Sequence, residues 1–248
     1  MIDCPICLQS VEKLKSGSHV IPRWAMKLTK EGGNFASLDL KAKDQPKAKR
    51  EQDDLVCELW CENCENRFRD DDANGARFFK DRLYVIREMR PAPETGNIGV
   101  EIHDAKALGD LRSFIISLFI RCEVYASKTL GKSLLGPRFS FYAKAHADGM
   151  FDGQNAGLVL MLNSVLGESH SSPVKTRFGN RNCVMMFFCG YSVCLISDGR
   201  GPEVGDLSNL VTDREIVIPV SGGTDLPHID KIVNAIRKIG PINRKRQK

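Results

Sequence analysis

The sequence predicts an α+β protein in which a zinc-stapled N-terminal unit precedes a larger α+β part. Three observations predict this fold class. Two Cys-x-x-Cys pairs lie within the first 64 residues and have the spacing of zinc ligands. Apolar residues recur at steps of three and four over residues 108–125 and again over residues 226–239, which indicates two amphipathic helices. Strand-like runs separated by turn signals lie between them, so we expect an antiparallel sheet.

Composition allows a protein with a real core and excludes a membrane-spanning segment. The chain has 248 residues, 42% of them hydrophobic, and a formal net charge of +5. This charge is compatible with nucleic-acid binding but does not require it. The odd count of nine cysteines and the absence of a basic-then-apolar leader predict a cytoplasmic location. The most apolar run, residues 114–120, is far shorter than the roughly 20 residues that cross a bilayer.

The first predicted elements follow the first cysteine pair. The segment Ser-His-Val-Ile-Pro occupies residues 18–22, where the β-branched residues favour a strand and Pro22 ends it. Pro22 also suits the first turn of a helix, which we expect over residues 23–28. The residues Gly-Gly-Asn at 32–34 are predicted to end that helix.

The second half of the N-terminal unit leads to the second cysteine pair. A short strand is expected over residues 35–40, followed by a polar loop over residues 41–54. That loop is either a solvated connection or a segment whose basic side chains lie along phosphates. A strand over residues 55–60 is predicted to deliver the second pair, within which a helix begins. The Asn-Gly step at 74–75 predicts a break in this helix.

The Pro- and Gly-rich segment 91–99 predicts a boundary between two domains. The predicted units are a zinc-binding domain at 1–90, an α+β domain of unknown role at 100–240 and a basic tail at 241–248. The second domain carries no catalytic signature. Its predicted strands are 157–162, 183–196 with a turn at Gly190, and 215–220.

The cysteines divide into zinc ligands and core residues. Each Cys-x-x-Cys pair offers two thiolates on a tight turn, and two such turns together make the tetrahedral shell that zinc prefers. We therefore expect a structural Zn²⁺ at Cys4, Cys7, Cys61 and Cys64. The remaining cysteines lie mostly in apolar runs, where a thiol behaves as a small buried hydrophobe. They are Cys57, Cys122, Cys183, Cys189 and Cys194.

The order of Cys-x-x-Cys, His-Val-Ile-Pro and a Cys-x-x-Cys that opens a helix resembles the HNH (ββα-metal) endonuclease family in its zinc-stapled, treble-clef form. The resemblance covers about residues 1–85. It implies that His19 is the general base, that a nearby Mg²⁺ or Mn²⁺ stabilises charge on the scissile phosphate, and that DNA is the substrate. A neutral imidazole suits proton abstraction from water beside such a metal. Family analogy implies bacterial defence against foreign DNA as the setting.

The chain departs from the family pattern where the catalytic metal would bind. Family members usually carry Asp or Glu before the motif histidine, where this chain has Ser18, and His or Asn after the second pair, where it has Glu65 and then Asn66. Glu65 and Asn66 are therefore the candidate Mg²⁺ or Mn²⁺ ligands. Glu65 could instead be a carboxylate favoured by the helix N-terminus. His19 could instead join the zinc shell or form a structural hydrogen bond.

Two functions follow from the sequence. The first is a metal-dependent HNH-like endonuclease acting on DNA, and the second is a catalytically lapsed zinc module that binds nucleic acid or a protein partner, with residues 100–240 providing recognition. The candidate phosphate-binding residues are Arg23, Lys27, Lys47, Lys49 and Arg50. The basic tail is either solvated and disordered or a further phosphate-binding arm.

Overall fold

The computed structural model describes residues 1–32, 35–39, 47–50, 55–88, 97–101, 105–148, 158–162, 170–178, 181–197 and 215–219. These residues mix helices with small, mainly antiparallel sheets. The helices are α1 (Arg23–Gly32), α2 (Glu62–Glu88), α3 (Ala105–Leu130) and α4 (Phe139–Asp148). The strands are β1 (Ile2–Asp3), β2 (Ser10–Val11), β3 (Ser18–His19), β4 (Phe35–Asp39), β5 (Lys47–Arg50), β6 (Val56–Cys57), β7 (Asn97–Glu101), β8 (Leu158–Leu162), β9 (His170–Ser171), β10 (Val174–Phe178), β11 (Arg181–Phe188), β12 (Tyr191–Ile196) and β13 (Glu215–Pro219).

Two short antiparallel strand pairs and a long helix lie around the two cysteine pairs. Strands β1 and β2 pair antiparallel around the first cysteine pair, and β3 pairs antiparallel with β6, from which α1, β4 and β5 separate it in the chain. A hydrogen bond of 3.0 Å from the Val20 amide to the Leu55 carbonyl extends the β3/β6 pair. Helix α2 begins one residue after Cys61. The chain thus runs from β6 through the second cysteine pair into a long helix.

Most N-terminal predictions are confirmed, and two are wrong, namely the loop over 41–54 and the helix break at 74–75. Helix α1 starts after Pro22 and ends at Gly32 as predicted, and strand β4 lies within the predicted range. The prediction of a loop over 41–54 is wrong for Lys47–Arg50, which forms β5 and pairs antiparallel with β4. Strand pairing uses backbone groups, so polar side chains do not prevent it at a sheet edge. Of the strand predicted over 55–60, Val56–Cys57 is paired.

Helix α2 is continuous through Asn74 and Gly75, so the predicted break is wrong. The reason lies in packing. A Cβ on Gly75 would stand 2.5 Å from the ring of Phe114 on α3, which is well inside van der Waals contact. Glycine therefore lets the aromatic ring lie directly against the α2 backbone, a role that a local turn signal does not reveal.

The C-terminal part contains the predicted strands. Strands β10, β11, β12 and β8 form a four-stranded antiparallel sheet in that order. Strands β11 and β12 make a hairpin that turns at Cys189 and Gly190, with φ of 50° and 80°. Strand β13 pairs with β7, so the end of the predicted boundary segment 91–99 belongs to a strand. The predicted helix 226–239 and the basic tail 241–248 lie outside the described residues.

Residues from both predicted domains share one hydrophobic cluster. Trp24 of α1 contacts Phe79 of α2 at a ring-centroid distance of 6.5 Å, Phe114 of α3 at 6.1 Å and Phe188 of β11 at 5.8 Å. Strand β4 also pairs in parallel with β9. The division near 91–99 into two domains stays a prediction. Within the described part of the chain, no helix combines the length and the apolar character needed to cross a membrane.

A buried carboxylate organises the turn between α3 and α4. Glu123, 4% exposed, accepts hydrogen bonds from the Ser133 hydroxyl at 2.8 Å and from the amides of Leu134 and Leu135 at 2.5 and 2.7 Å. Three donors replace the water that the carboxylate loses on burial. This holds the turn so that α4 folds back along α3.

Candidate metal centre

The four predicted zinc ligands converge in space. Their sulfur atoms all lie within 4.8 Å of one another, with Cys4 Sγ 3.8 Å from Cys64 Sγ and Cys7 Sγ 3.7 Å from Cys61 Sγ. A tetrahedron with zinc–sulfur bonds of about 2.3 Å has sulfur–sulfur edges of about 3.8 Å. Three of the cysteines are buried and Cys7 is half-buried. The donor set and its spacing therefore fit a structural Zn²⁺ with four thiolate ligands.

Local backbone geometry places each cysteine pair. In the first pair, the Leu8 amide bonds the Cys4 carbonyl and the Cys4 amide bonds the Gln9 carbonyl, both at 2.9 Å. Leu8 closes this tight turn with a left-handed φ of 60°. In the second pair, the Glu65 amide bonds the Cys61 carbonyl at 3.0 Å as the helix begins. The Cys61 amide donates to Cys4 Sγ at 3.4 Å and so joins the two turns.

The thiols are electrostatically coupled. The hydrogen bond from Cys64 lowers the pKa of the Cys4 thiol to about 4. The same hydrogen bond, burial and the neighbouring sulfurs raise the pKa of Cys64 well above its usual range, and burial raises the pKa of Cys7. Without a cation, therefore, the first thiolate formed opposes ionisation of its neighbours. The positive charge of a bound zinc would offset this repulsion, and the thiol protons would be released.

The second cysteine pair is supported by Trp60. This side chain is fully buried and packs edge-on against Phe68 with ring centroids 5.1 Å apart. Its indole Nε1 donates to Glu65 Oε2 at 2.5 Å, while its carbonyl accepts from the Lys15 amide at 2.7 Å. Trp60 therefore connects the second cysteine pair, the first turn of α2 and the β2–β3 loop.

His19 lies on β3 opposite Val56 and is half-buried. Among the residues that the structure describes, no side chain hydrogen-bonds to its imidazole. The preceding Ser18 is fully buried, and its hydroxyl donates to the Lys15 carbonyl at 3.3 Å. The ring of His19 thus has no hydrogen bond to another described side chain, whereas the Ser18 hydroxyl is buried and already hydrogen-bonded.

The two candidate ligands for a catalytic cation lie in the first turns of α2 and already have partners. Glu65 bonds Trp60, and Asn66 Oδ1 accepts from Arg69 Nη2. Within the described ranges, the four cysteines are the only group of three or more Cys, His, Asp or Glu residues close enough to hold an ion. Binding of Mg²⁺ or Mn²⁺ by Glu65 and Asn66 stays a prediction.

The candidate phosphate-binding residues fall on two elements. Arg23 and Lys27 are exposed on α1, four positions apart and therefore on one face. Lys47, Lys49 and Arg50 lie on β5. Contact of these residues with phosphates stays a prediction.

Sequence reasoning misses Arg121, a residue of α3 that contacts the His19 strand. The residue is 1% exposed and binds Asp72 with both nitrogens, Nη2–Oδ1 at 2.7 Å and Nη1–Oδ2 at 3.2 Å. Nη1 also donates to the His19 carbonyl at 3.4 Å. Burial raises the pKa of Asp72, and the Arg121 charge opposes this. A charged residue within the apolar run of a predicted helix is the signal that could identify it.

A second buried polar contact lies one residue away on α2. His146 Nε2 is 2.6 Å from Asp71 Oδ2, and the Ser113 hydroxyl donates to Asp71 Oδ1 at 2.7 Å. Asp71 is the central member of this network, whereas a hydrolytic triad places histidine between the other two groups. The network therefore joins α2, α3 and α4 as structural support.

Comparison of this chain with protein-family models, with curated proteins and with solved structures finds no match.

Proposed function

We propose that this chain is a metal-dependent, HNH-like endonuclease that hydrolyses DNA phosphodiester bonds, with a structural zinc at the four cysteines and His19 as general base. The observation that carries the proposal is the order of elements around the clustered thiols. Strand β3 bears His19 and pairs with β6, and α2 follows through the second cysteine pair. Apart from α1, β4 and β5, which are inserted between the two strands, this is the ββα order expected of a zinc-stapled treble clef in the HNH family.

The proposed zinc is structural. Four thiolates would complete tetrahedral coordination of a bound zinc and leave no open position for water or phosphate. Its contribution is to hold the β1/β2 turn against the start of α2. Catalysis therefore needs a second cation, and Mg²⁺ or Mn²⁺ is the hard ion that carboxylate and amide oxygens at Glu65 and Asn66 would suit.

His19 is suited to remove a proton from water. Its half-buried ring is not hydrogen-bonded to any other described side chain, so in the proposed reaction a ring nitrogen faces the attacking water. A bound divalent cation would polarise the phosphate and stabilise its developing charge. Trp60 holds Glu65 through Oε2, and Oε1 is the oxygen proposed to reach that cation.

The first prediction tests His19. Purified zinc-loaded protein is incubated with supercoiled plasmid and Mg²⁺ or Mn²⁺, and nicking is followed on gels. We expect His19→Ala to lower the nicking rate by about 10²–10⁴-fold, the usual contribution of a general base. The matched control is Asn63→Ala, which alters an exposed residue between Cys61 and Cys64. It should leave the nicking rate and the zinc content unchanged.

Nicking that survives His19→Ala, with zinc content intact, would contradict the assignment of the base. Nicking without any added divalent cation, and after removal of trace metal, would contradict the need for a second metal.

A second candidate function is a lapsed zinc module that binds DNA without cutting it. The observations that favour it are the hydrogen bonds that already engage Glu65 and Asn66 and the full burial of Ser18 where the family carries a carboxylate. In this case wild-type protein shifts DNA in a gel but never nicks it. The shift should weaken steeply between 50 and 200 mM salt and with Arg23→Ala/Lys27→Ala. No shift at low salt points instead to a protein partner.

A further inference from the structure

Arg121 is a buried charge with partners on three elements. Its guanidinium binds Asp72 of α2, the Ser117 carbonyl of its own helix at 3.4 Å, and the His19 carbonyl of β3 at 3.4 Å. The Arg121 Cζ atom lies 5.1 Å from the centre of the Phe68 ring. The guanidinium is therefore held from several directions, by a carboxylate, by carbonyls and by an aromatic face.

These contacts need an arginine. Burying a charge is unfavourable before pairing is counted, and a methionine would fill the same space without that desolvation cost. The guanidinium fork can bind a carboxylate with two nitrogens and still offer a hydrogen to a carbonyl, which a lysine ammonium cannot do with the same geometry. The His19 carbonyl receives one of those hydrogens.

Strand β3 is short enough for this contact to matter. It consists of Ser18 and His19, each with one partner on β6. The Val20 amide adds one hydrogen bond to Leu55. Two-residue pairing restrains a backbone weakly, so an additional, partly buried hydrogen bond at the His19 carbonyl restricts the orientation of the residue that carries the imidazole.

We propose that Arg121 is a positioning residue of the His19 site, which fixes the His19 main chain through its carbonyl while Asp72 fixes the guanidinium. This inference rests on the proposed nuclease function and deepens it. Because Arg121 belongs to α3, the site is not complete within residues 1–90. The segment beyond the predicted boundary supplies part of the support for the general base.

The test compares Arg121→Lys with His146→Gln in the full zinc-loaded chain. His146→Gln breaks a buried contact on the adjacent Asp71 but touches neither His19 nor Arg121, so it reports general loss of stability. For Arg121→Lys we expect kcat for plasmid nicking to fall about 10–100-fold with KM within about twofold, because a misplaced base affects the transition state more than DNA binding. His146→Gln should lower Tm and leave kcat unchanged.

Two NMR measurements give read-outs that do not need nuclease activity. In Arg121→Lys, the Val20 amide should exchange about 10-fold faster with solvent than in wild type, and the His19 ring signals should move. Both should be unchanged in His146→Gln. If Arg121→Lys does not fold, Arg121→Met/Asp72→Asn replaces it, because this double variant leaves no unpaired buried charge.

The outcomes separate the two proposals. A wild type that never nicks DNA removes the nuclease proposal, and the Val20 exchange and His19 signals then decide whether Arg121 fixes His19. Unchanged exchange, ring signals and kcat in Arg121→Lys would overturn the inference even if wild type is an active nuclease. Equal changes in His146→Gln would also overturn it, because they would show a general loss of stability.

Discussion

His170 is a histidine held in its neutral form by burial and by the hydrogen bond that its ring accepts from the Cys189 amide. It is fully buried and stacks on Phe188 with ring centroids 4.8 Å apart. Nδ1 accepts from the Cys189 amide at 3.1 Å, so Nε2 carries the hydrogen that it donates to the Ala25 carbonyl at 2.9 Å. Burial lowers the pKa of His170 to about 4. The contact between α1 and the β11/β12 hairpin therefore requires an unprotonated ring.

This geometry predicts a stability that falls in mild acid. The folded pKa of about 4 lies below the unfolded value of about 6.5, so the unfolded state binds more protons between these values. The contribution is complete above pH 6.5 and is lost as the pH falls toward 4. From pH 7.5 to 5.0 the free energy of unfolding should fall by about 2 kcal/mol through this group.

Urea unfolding at both pH values measures the effect. His170→Asn should be less stable than wild type at pH 7.5 and should lack this 2 kcal/mol share of the pH dependence. An identical pH dependence in the two proteins would show that His170 is not the responsible group.

Cys61 is predicted to be essential for the metal, and Cys57 is its matched control. Cys61→Ser removes one of four clustered thiolates, so we expect loss of stoichiometric zinc and a decrease of about 4 kcal/mol or more in unfolding free energy. Cys57→Ser alters a half-buried cysteine outside the cluster and should keep one zinc per chain. Zinc content is measured by metal analysis and stability by thermal unfolding. Full zinc content in Cys61→Ser would remove the structural zinc site.

At the scale of elements, the contact between α2 and α3 depends on the absence of a side chain at Gly75. Gly75→Ala should raise intrinsic helix propensity by about 1 kcal/mol, yet its Cβ would overlap the Phe114 ring at 2.5 Å. Overpacking costs typically 1–3 kcal/mol or more. We expect the clash to dominate, with a net loss of about 1–2 kcal/mol in the free energy of unfolding.

Gly109→Ala provides the internal control for this prediction. Gly109 lies in α3, and a Cβ there meets nothing within 4 Å. This substitution should stabilise the protein by about 0.5–1 kcal/mol through helix propensity and lower unfolded-state entropy. Urea unfolding of both variants gives the comparison, and a stabilising Gly75→Ala would show that α2 and α3 can move apart at little cost.

For the whole molecule, the described structure joins the zinc unit to the C-terminal sheet at several points. The aromatic rings of Trp24, Phe79, Phe114 and Phe188 form one cluster. His170 bonds to α1, and strand β9 pairs with β4. Disruption of the zinc unit therefore removes packing partners from the sheet as well as from α2.

We predict that zinc loss loosens both parts together. Hydrogen exchange of the zinc-loaded wild type is compared with that of Cys61→Ser, peptide by peptide. Amide protection should fall by about 10-fold or more in α2 and also in β11 and β12, as in one cooperative unit. Unchanged protection in β11 and β12 would instead support two independently folding domains divided near 91–99.

Features encoded within a short stretch of chain could be predicted from the sequence. The two cysteine pairs, the start of α1 after Pro22, the apolar period of α3 and the β11/β12 hairpin each depend on residues a few positions apart. Ligand spacing, helix period and turn chemistry are local properties, and the structure confirms these elements. A strand near His19 follows from the same kind of local reasoning, although β3 consists of Ser18 and His19 and does not include the β-branched residues Val20 and Ile21.

Long-range contacts could not be predicted, because no local pattern reports which distant side chains meet. The local sequence at Gly75 predicts a helix break. The close approach of Gly75 to Phe114 exists only because α2 packs on α3, so the local sequence does not reveal it. The polar segment Lys47–Arg50 becomes a strand because β4 offers it a backbone partner. Arg121 lies far from His19 in sequence, and helix packing brings its guanidinium to the His19 carbonyl. The ligand set of the zinc site is thus encoded locally, and the support of the proposed catalytic histidine depends on packing across the whole chain.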